Sequence, residues 1–213
     1  MASATTTEIR NLAEMLHQLG DIPLDRIRIR PALGTATKQD VVNADCKCEL
    51  IDGILVDKGM GFKESVIAST LTLLLGSFVR AGKLGVVSGP DGTLELWEGH
   101  VRIPDVAFVS WDRLPDGIPD EPIPDLAPNL AVEIVSRSNT EAEMARKRAD
   151  FFQAGTELIW IVYPLTQTVR IFTDAETFTE LTNDDTLTGG EVLPGLEVPL
   201  ADIFADIHPA NDA

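Results

Sequence analysis

A strand, a helix and a second strand near the middle of the chain constrain the fold more than any other feature. Two apolar runs, LAVEIV at 130–135 and LIWIVY at 158–163, are each long enough for a buried strand. Ser138 and Glu141 match a capping box, and Gly155 stands where a left-handed residue commonly ends a helix. These signals predict a helix at about 140–154 that crosses between two strands of one sheet.

The preceding part of the chain predicts antiparallel pairing. Asp52 and Gly53 separate two short apolar runs, which is a strong signal for a hairpin over 46–57. A largely apolar helix is predicted over 62–81, ending at Gly82. Further strands are predicted at 86–88, 94–97, 102–110 and 168–173, with a short edge strand at 178–182. Hairpins followed by a crossover predict a mixed α/β (α+β) fold with a mixed β-sheet flanked by helices.

The first 44 residues predict a helical extension of this core. The sequence predicts an amphipathic helix that is capped by Thr6 or Thr7 and ends at Gly20. Its apolar residues fall on one face: Ile9, Leu12, Ala13, Leu16 and Leu19. Thr37 with Asp40 resembles a capping box for a second, short helix. The expected parts are an extension at 1–44, a core domain at 45–205 and a tail at 206–213.

Composition narrows the functional classes. The formal net charge of −17 argues against tight, unspecific DNA binding, which relies on clustered lysines and arginines. The start of the chain has no pattern of a secretion signal, so we expect a cytoplasmic protein. The apolar stretch at 66–79 is shorter than the roughly 20 residues of a membrane span, which predicts a buried helix and no membrane partner.

Cysteines and histidines give little material for zinc or triad chemistry. Cys46 and Cys48 lack the four ligands of a structural zinc site and are expected to be reduced thiols. His17, His100 and His208 lie in unrelated contexts, so neither a histidine zinc centre nor a Ser-His-Asp triad is expected.

Glu133 is the strongest candidate for chemistry, because it stands at the centre of the apolar run LAVEIV. A buried carboxylate needs a cation, a raised pKa or a metal ion to offset its desolvation. Pairing with an arginine, or capping of nearby backbone, would explain Glu133 equally well. Asp105 follows Pro104 at the start of a strand-like stretch, where a sheet margin can direct a functional side chain. A Pro-Asp pair in a plain turn is the alternative.

Lys147 is the third candidate. It shares a helical face with Met144 and Phe151, so its ammonium group either points inward or extends to solvent. Two carboxylates can hold Mg²⁺ while a nearby lysine stabilises a phosphate or polarises water, which is the chemistry of phosphodiester hydrolysis. Glu49, in the first hairpin strand, is a further candidate that would add a ligand or orient water.

Four blocks in order resemble the Uma-two family, a branch of the PD-(D/E)XK nuclease superfamily: CELIDGILV, RIPDVAFV, LAVEIVSRSN and KRADFFQAGTELIWIVYP. The resemblance implies a restriction-endonuclease-like core in which Asp105 and Glu133 bind the metal and Glu49 contributes from upstream. The superfamily's usual lysine, two residues after the glutamate, is replaced by Val135. The family's lysine is similar to Lys147, displaced onto the following helix.

The resemblance favours a Mg²⁺-dependent endonuclease, with Mn²⁺ as an alternative ion, DNA as the favoured substrate and a homodimer as the assembly. Two other classes stay open from the sequence. One is a non-catalytic binding or regulatory domain that keeps the nuclease fold, because folds often carry idle sites. The other is a phosphodiesterase acting on a small substrate, which the net charge of −17 disfavours less than duplex DNA.

Overall fold

The structure is a computed structural model, and it describes residues 11–207. The predicted caps Thr6 and Thr7, together with Ile9, His208 and most of the predicted tail, lie outside the described residues. Within 11–207 the α-helices are α1 Leu12–Gln18, α2 Lys38–Val42, α3 Phe62–Gly82, α4 Glu141–Gln153 and α5 Leu200–Phe204. Short 3-10 helices occupy Leu24–Arg26, Trp111–Arg113 and Ala205–Ile207.

Twelve strands are formed by the described residues. In chain order they are β1 Cys48–Ile51, β2 Ile54–Asp57, β3 Gly85–Ser88, β4 Leu94–Trp97, β5 His100–Arg102, β6 Val106–Ser110, β7 Leu130–Ile134, β8 Leu158–Tyr163, β9 Thr168–Phe172, β10 Phe178–Leu181, β11 Thr186–Gly189 and β12 Leu193–Pro199. The predicted edge strand is confirmed, since β10 ends the largest sheet.

The largest sheet has six strands in the order β10-β9-β8-β7-β6-β3. Its one parallel pair is β7 with β8, which α4 connects, and the other pairs are antiparallel. A second sheet has the order β2-β1-β5-β4, and β11 pairs with β12 in a separate ribbon. The predicted mixed sheet with one crossover helix is therefore confirmed.

The hairpin between β1 and β2 turns at Asp52 and Gly53, as predicted. Both residues have positive φ values, 50° and 73°, as a type I′ turn requires. Such a turn matches the twist of the two strands and pairs Ile51 directly with Ile54. The apolar face of α1 packs on this hairpin, and Met15 and Leu19 are buried between them.

Successive residues of β7 point to opposite faces of the six-stranded sheet. Val132 faces a core that includes buried α3 residues such as Leu71 and Leu75, whereas Ala131 faces a core that includes Met144 and Phe151 of α4. The alternation places Glu133 on the α4 side, because it is two residues from Ala131. Helices thus cover both faces, and the side chain of Glu133 is directed towards α4.

Helix α3 is the one described helix whose length and composition would allow it to cross a membrane. It has 21 residues, so the expectation that the apolar stretch is too short does not hold for the whole helix. Of its apolar window 28% is buried inside the protein, and this buried part includes Ile67, Leu71 and Leu75, which are completely buried in the core.

The predicted strand over 102–110 is wrong in one respect, because it divides into β5 and β6 of different sheets. Pro104 has no N–H to donate, so it interrupts the ladder between the two strands. The Asp105 N–H resumes pairing with the carbonyl of Val132 at 3.0 Å. The chain therefore passes from one sheet to the other at Asp105.

The start of α4 also differs from the prediction. Thr140 is its N-cap, and the Thr140 hydroxyl accepts a hydrogen bond from the Glu143 N–H at 2.9 Å. The Ser138 hydroxyl instead lies 3.0 Å from the hydroxyl of Ser136. The predictions of a left-handed Gly155, with φ +96°, and of a capping box at the start of α2 are confirmed.

Candidate active site

The four predicted site residues come from four separate elements and meet in one buried cluster. Glu49 lies in β1, Asp105 in the link between β5 and β6, Glu133 in β7 and Lys147 in α4. Each is no more than 4% exposed. The cluster occupies the region where the two larger sheets approach each other beneath α4.

Lys147 connects the two glutamates. Its Nζ lies 2.9 Å from Glu133 Oε2 and 3.3 Å from Glu49 Oε1. Burial alone would lower the pKa of Lys147, but the two carboxylates outweigh it and raise the pKa above its usual value. The inward orientation considered for this lysine is the one found, and the side chain is a permanent ammonium at neutral pH.

Asp105 is held by backbone and by a second lysine. Its Oδ2 accepts a hydrogen bond from the Ile134 N–H at 2.7 Å, and its Oδ1 lies 2.9 Å from Lys58 Nζ. The same Nζ lies 3.8 Å from Glu133 Oε2 and also donates to the Ile103 carbonyl. Lys58 thus lies within ion-pair distance of both carboxylates.

Sequence reasoning missed Lys58. Strand alternation carries the signal that would have found it, because Ile54, Val56 and Lys58 share one side of β2 and its extension, and the first two are buried. A lysine that continues a buried row is expected to have a carboxylate partner.

Glu133 has one oxygen without a partner. Oε2 contacts Lys147, whereas Oε1 is buried and forms no hydrogen bond within the described part of the chain. Burial raises the pKa of Glu133, and the negative charge of Asp105 adds to the effect, although Lys147 and Lys58 oppose it. An unsatisfied buried carboxylate oxygen is costly and is suited to accept a cation.

Glu49 is fully engaged by a second buried network. Arg102 donates to Glu49 Oε2 at 2.7 Å, and the Ile103 N–H donates to Oε1 at 3.2 Å. Arg102 also donates through Nε to Asp150 Oδ2 at 3.0 Å, and His100 Nε2 lies 2.9 Å from the same oxygen. Glu49 is desolvated, yet Lys147 and Arg102 lower its pKa. Its geometry therefore suits positioning of Lys147 better than metal ligation.

The residues present fit a Mg²⁺ ion held by few protein ligands. Within residues 11–207 no group of three Asp, Glu, His or Cys side chains is arranged to hold a metal by itself. Mg²⁺ commonly uses one or two carboxylates and keeps several waters or substrate oxygens. Asp105 and Glu133 supply two hard carboxylates that already share one cation, and Glu133 Oε1 offers a free lone pair.

The cluster opens to the surface through a narrow space of about 10 Å³. Its lining includes Asp105, Glu133 and both lysines, together with Arg26 from the 3-10 helix Leu24–Arg26. Arg26 forms two hydrogen bonds with Glu143 of α4, at 2.8 and 3.0 Å. The 3-10 helix that contains Arg26 therefore contributes a cation, paired with Glu143, to the rim of the site.

The fold and a family match define the class of protein. The two larger sheets and the crossover helix α4 are similar in fold to a putative nuclease of the restriction-endonuclease-like fold. Residues 36–201 match the Uma2 family, described as "Putative restriction endonuclease". Since the match covers most of the chain, this protein belongs to the Uma2 family.

A solved structure supports the same fold. It is the crystal structure of a putative nuclease belonging to DUF820 from Anabaena variabilis ATCC 29413, with a TM-score of 0.70 and 20% sequence identity. The similarity covers 79% of this chain and 97% of that chain. No curated protein matches the sequence.

Proposed function

We propose that this protein is a Mg²⁺-dependent nuclease that hydrolyses phosphodiester bonds of nucleic acid. The observation that carries the proposal is the convergence of Asp105 and Glu133 on one cation position, with Glu133 Oε1 left without a hydrogen-bond partner among residues 11–207. These two carboxylates would hold the ion, with Mn²⁺ as an alternative. When bound, the ion would neutralise charge on the scissile phosphate and lower the pKa of a coordinated water.

Lys147 acts as a fixed positive charge in this proposal. Because Glu133 and Glu49 raise its pKa, it keeps its proton at neutral pH and is unsuited to act as a general base. It would stabilise negative charge that develops on the phosphate during hydrolysis. Glu49 is a positioning residue, which Arg102 holds in place and which in turn holds Lys147.

The substrate and assembly belong to the same proposal. We favour DNA as the substrate and a homodimer as the assembly. The net charge of −17 requires local cations near the site for any nucleic acid to approach. Arg26, Lys58 and Lys147 line the opening of the site, but each is paired with a carboxylate. Cations that remain free to meet a phosphate must therefore lie beside this opening, as the exposed Arg137 does.

Cleavage assays with isosteric variants test the proposal. Labelled single- and double-stranded DNA and RNA would be incubated with Mg²⁺ or Mn²⁺ and the wild type, Asp105→Asn, Glu133→Gln or the exposed control Asp116→Asn. We expect metal-dependent cleavage by the wild type and by the control, and a loss of at least about 100-fold in the other two. Intact substrates with all four proteins would favour a non-catalytic domain, and cleavage of only small phosphodiesters would favour the second alternative.

A further inference from the structure

A cleft of about 740 Å³ lies beside the opening of the candidate site. Three segments line it, at 59–64, 135–138 and 163–166. Four residues line both this cleft and the opening of the candidate site: Gly59, Met60, Glu64 and Ser136. A ligand in the cleft would therefore extend directly to the cluster that contains Asp105 and Glu133. Its volume lies within the range of small-molecule pockets.

Two large apolar side chains in the walls of this cleft are unusually exposed to solvent. Phe62 is 88% exposed and Leu165 is 80% exposed, and these are the two most exposed large hydrophobic side chains in the described part of the chain. They come from separate segments, the start of α3 and the turn after β8, yet both border the same cleft. Large apolar side chains that are exposed together around one concavity commonly mark a binding surface.

The charged residues that line the cleft are two cations, Lys63 and Arg137, and one carboxylate, Glu64, although the whole chain is strongly acidic. Arg137 is exposed and, within residues 11–207, forms no hydrogen bond or ion pair. Lys63 has one hydrogen bond, a long one of 3.4 Å to the Pro164 carbonyl. Both side chains are available to an anionic group at the mouth. An aromatic surface beside an available guanidinium group suits a ligand that combines a flat ring with a phosphate.

We propose that this cleft binds an unpaired nucleobase next to the phosphate that is cleaved. The inference rests on the proposed nuclease function and specifies its substrate class as single-stranded or locally opened nucleic acid. Phe62 would stack on the face of the base, and Arg137 would pair with a flanking phosphate. A base within an intact duplex is stacked on both faces and cannot enter such a cleft without leaving the helix.

The favoured substrate also fits the charge of the protein better than an intact duplex does. A duplex carries about twice the charge per unit length of one strand, and a body with a net charge of −17 repels it more strongly. Stacking is insensitive to salt compared with phosphate contacts, so a base-binding cleft would let an acidic protein hold nucleic acid.

Fluorescence anisotropy with chelator present tests the cleft without any contribution from metal or cleavage. The probes would be a labelled single-stranded dodecamer and its duplex, the former also carrying one 2-aminopurine. The proteins would be the wild type, Phe62→Ala, Arg137→Gln and Leu73→Ala. Leu73 is a matched control because it is 68% exposed on the same helix but does not line this cleft.

We expect tighter binding of the single strand than of the duplex, with 2-aminopurine quenching on binding. Phe62→Ala should weaken single-strand binding roughly tenfold and remove the quenching, and Arg137→Gln should weaken binding and its salt dependence. Leu73→Ala should bind like the wild type. Three results would overturn the proposal. The wild type could bind the two probes equally or bind neither, or Phe62→Ala and Leu73→Ala could have equal effects.

The binding experiment and the cleavage assay can fail independently of each other. Single-strand binding that depends on Phe62, in a protein that cleaves nothing, would retain the cleft and reject the nuclease. Metal-dependent cleavage of duplex DNA that is unaffected by Phe62→Ala would retain the nuclease and reject the cleft.

Discussion

The ammonium of Lys58 lies 2.9 Å from a carboxylate oxygen of Asp105, one of the two residues proposed to hold Mg²⁺. The same nitrogen is 3.8 Å from Glu133 Oε2, so a lysine already occupies cation contacts of both proposed ligands. With a side chain only 7% exposed, Lys58 offsets buried negative charge in the metal-free protein. A divalent ion entering this position would compete with that ammonium.

Replacing Lys58 with methionine tests this competition. Lys58→Met should lower the stability of the metal-free protein by about 1–3 kcal/mol, because it leaves carboxylates less compensated. It should also raise Mn²⁺ affinity several-fold, because one competing cation is removed. Urea unfolding with and without Mn²⁺, together with calorimetric titration, would measure both effects. Weaker Mn²⁺ binding by Lys58→Met than by the wild type would show that the lysine assists the site instead.

Replacing Lys147 with methionine should separate catalysis from metal binding. Lys147→Met removes the cation that Glu133 and Glu49 share, so we expect a loss of about 3–5 kcal/mol in the free energy of unfolding. Mn²⁺ binding should persist while cleavage is lost. Lys47→Met is the control, because the exposed pair of Lys47 with Asp91 should contribute only about 0–1 kcal/mol. Equal losses of stability in the two variants, measured by urea unfolding, would show that the buried contacts of Lys147 contribute no more than an exposed ion pair.

The buried pair of Asp150 with Arg102 predicts a specific loss of stability in acid. Burial disfavours the charged form of Asp150, but Arg102 and His100 outweigh it and lower the pKa of this carboxyl below its usual value. A lowered pKa in the folded state contributes stability that is fully present above the unfolded pKa of about 4 and is lost as pH falls towards the folded pKa.

Thermal unfolding of Asp150→Asn across pH would measure this contribution. The variant should be less stable than the wild type at pH 7, and the difference should shrink as the pH falls below about 4. A difference that stays constant over that range would mean that ionisation of Asp150 does not contribute.

The main elements and the four site candidates follow from local patterns. Glu133 stands out because a carboxylate within an apolar strand is anomalous whatever surrounds it. Arg102 and Asp150 do not stand out, because charged residues in a short strand and on a helix are ordinary unless tertiary packing buries them. Their burial arises from the approach of β5 to α4, through contacts between residues 48 positions apart.

Competing local signals explain the misplaced helix cap. Both Ser138 with Glu141 and Thr140 with Glu143 have the spacing of a capping box. The structure selects Thr140, and Glu143 instead pairs with Arg26, which is 117 residues away in the chain. Similarly, Pro104 visibly weakens the strand over 102–110, but which sheet each half joins depends on pairing partners distant in the sequence.

Calorimetric titration of Mn²⁺ into the wild type, Asp105→Asn, Glu133→Gln and Asp116→Asn tests the central claim most directly. We predict one binding event in the wild type and in Asp116→Asn, and its loss or a weakening of at least about 10-fold in the other two proteins. Identical isotherms for all four proteins would contradict a metal site built from Asp105 and Glu133.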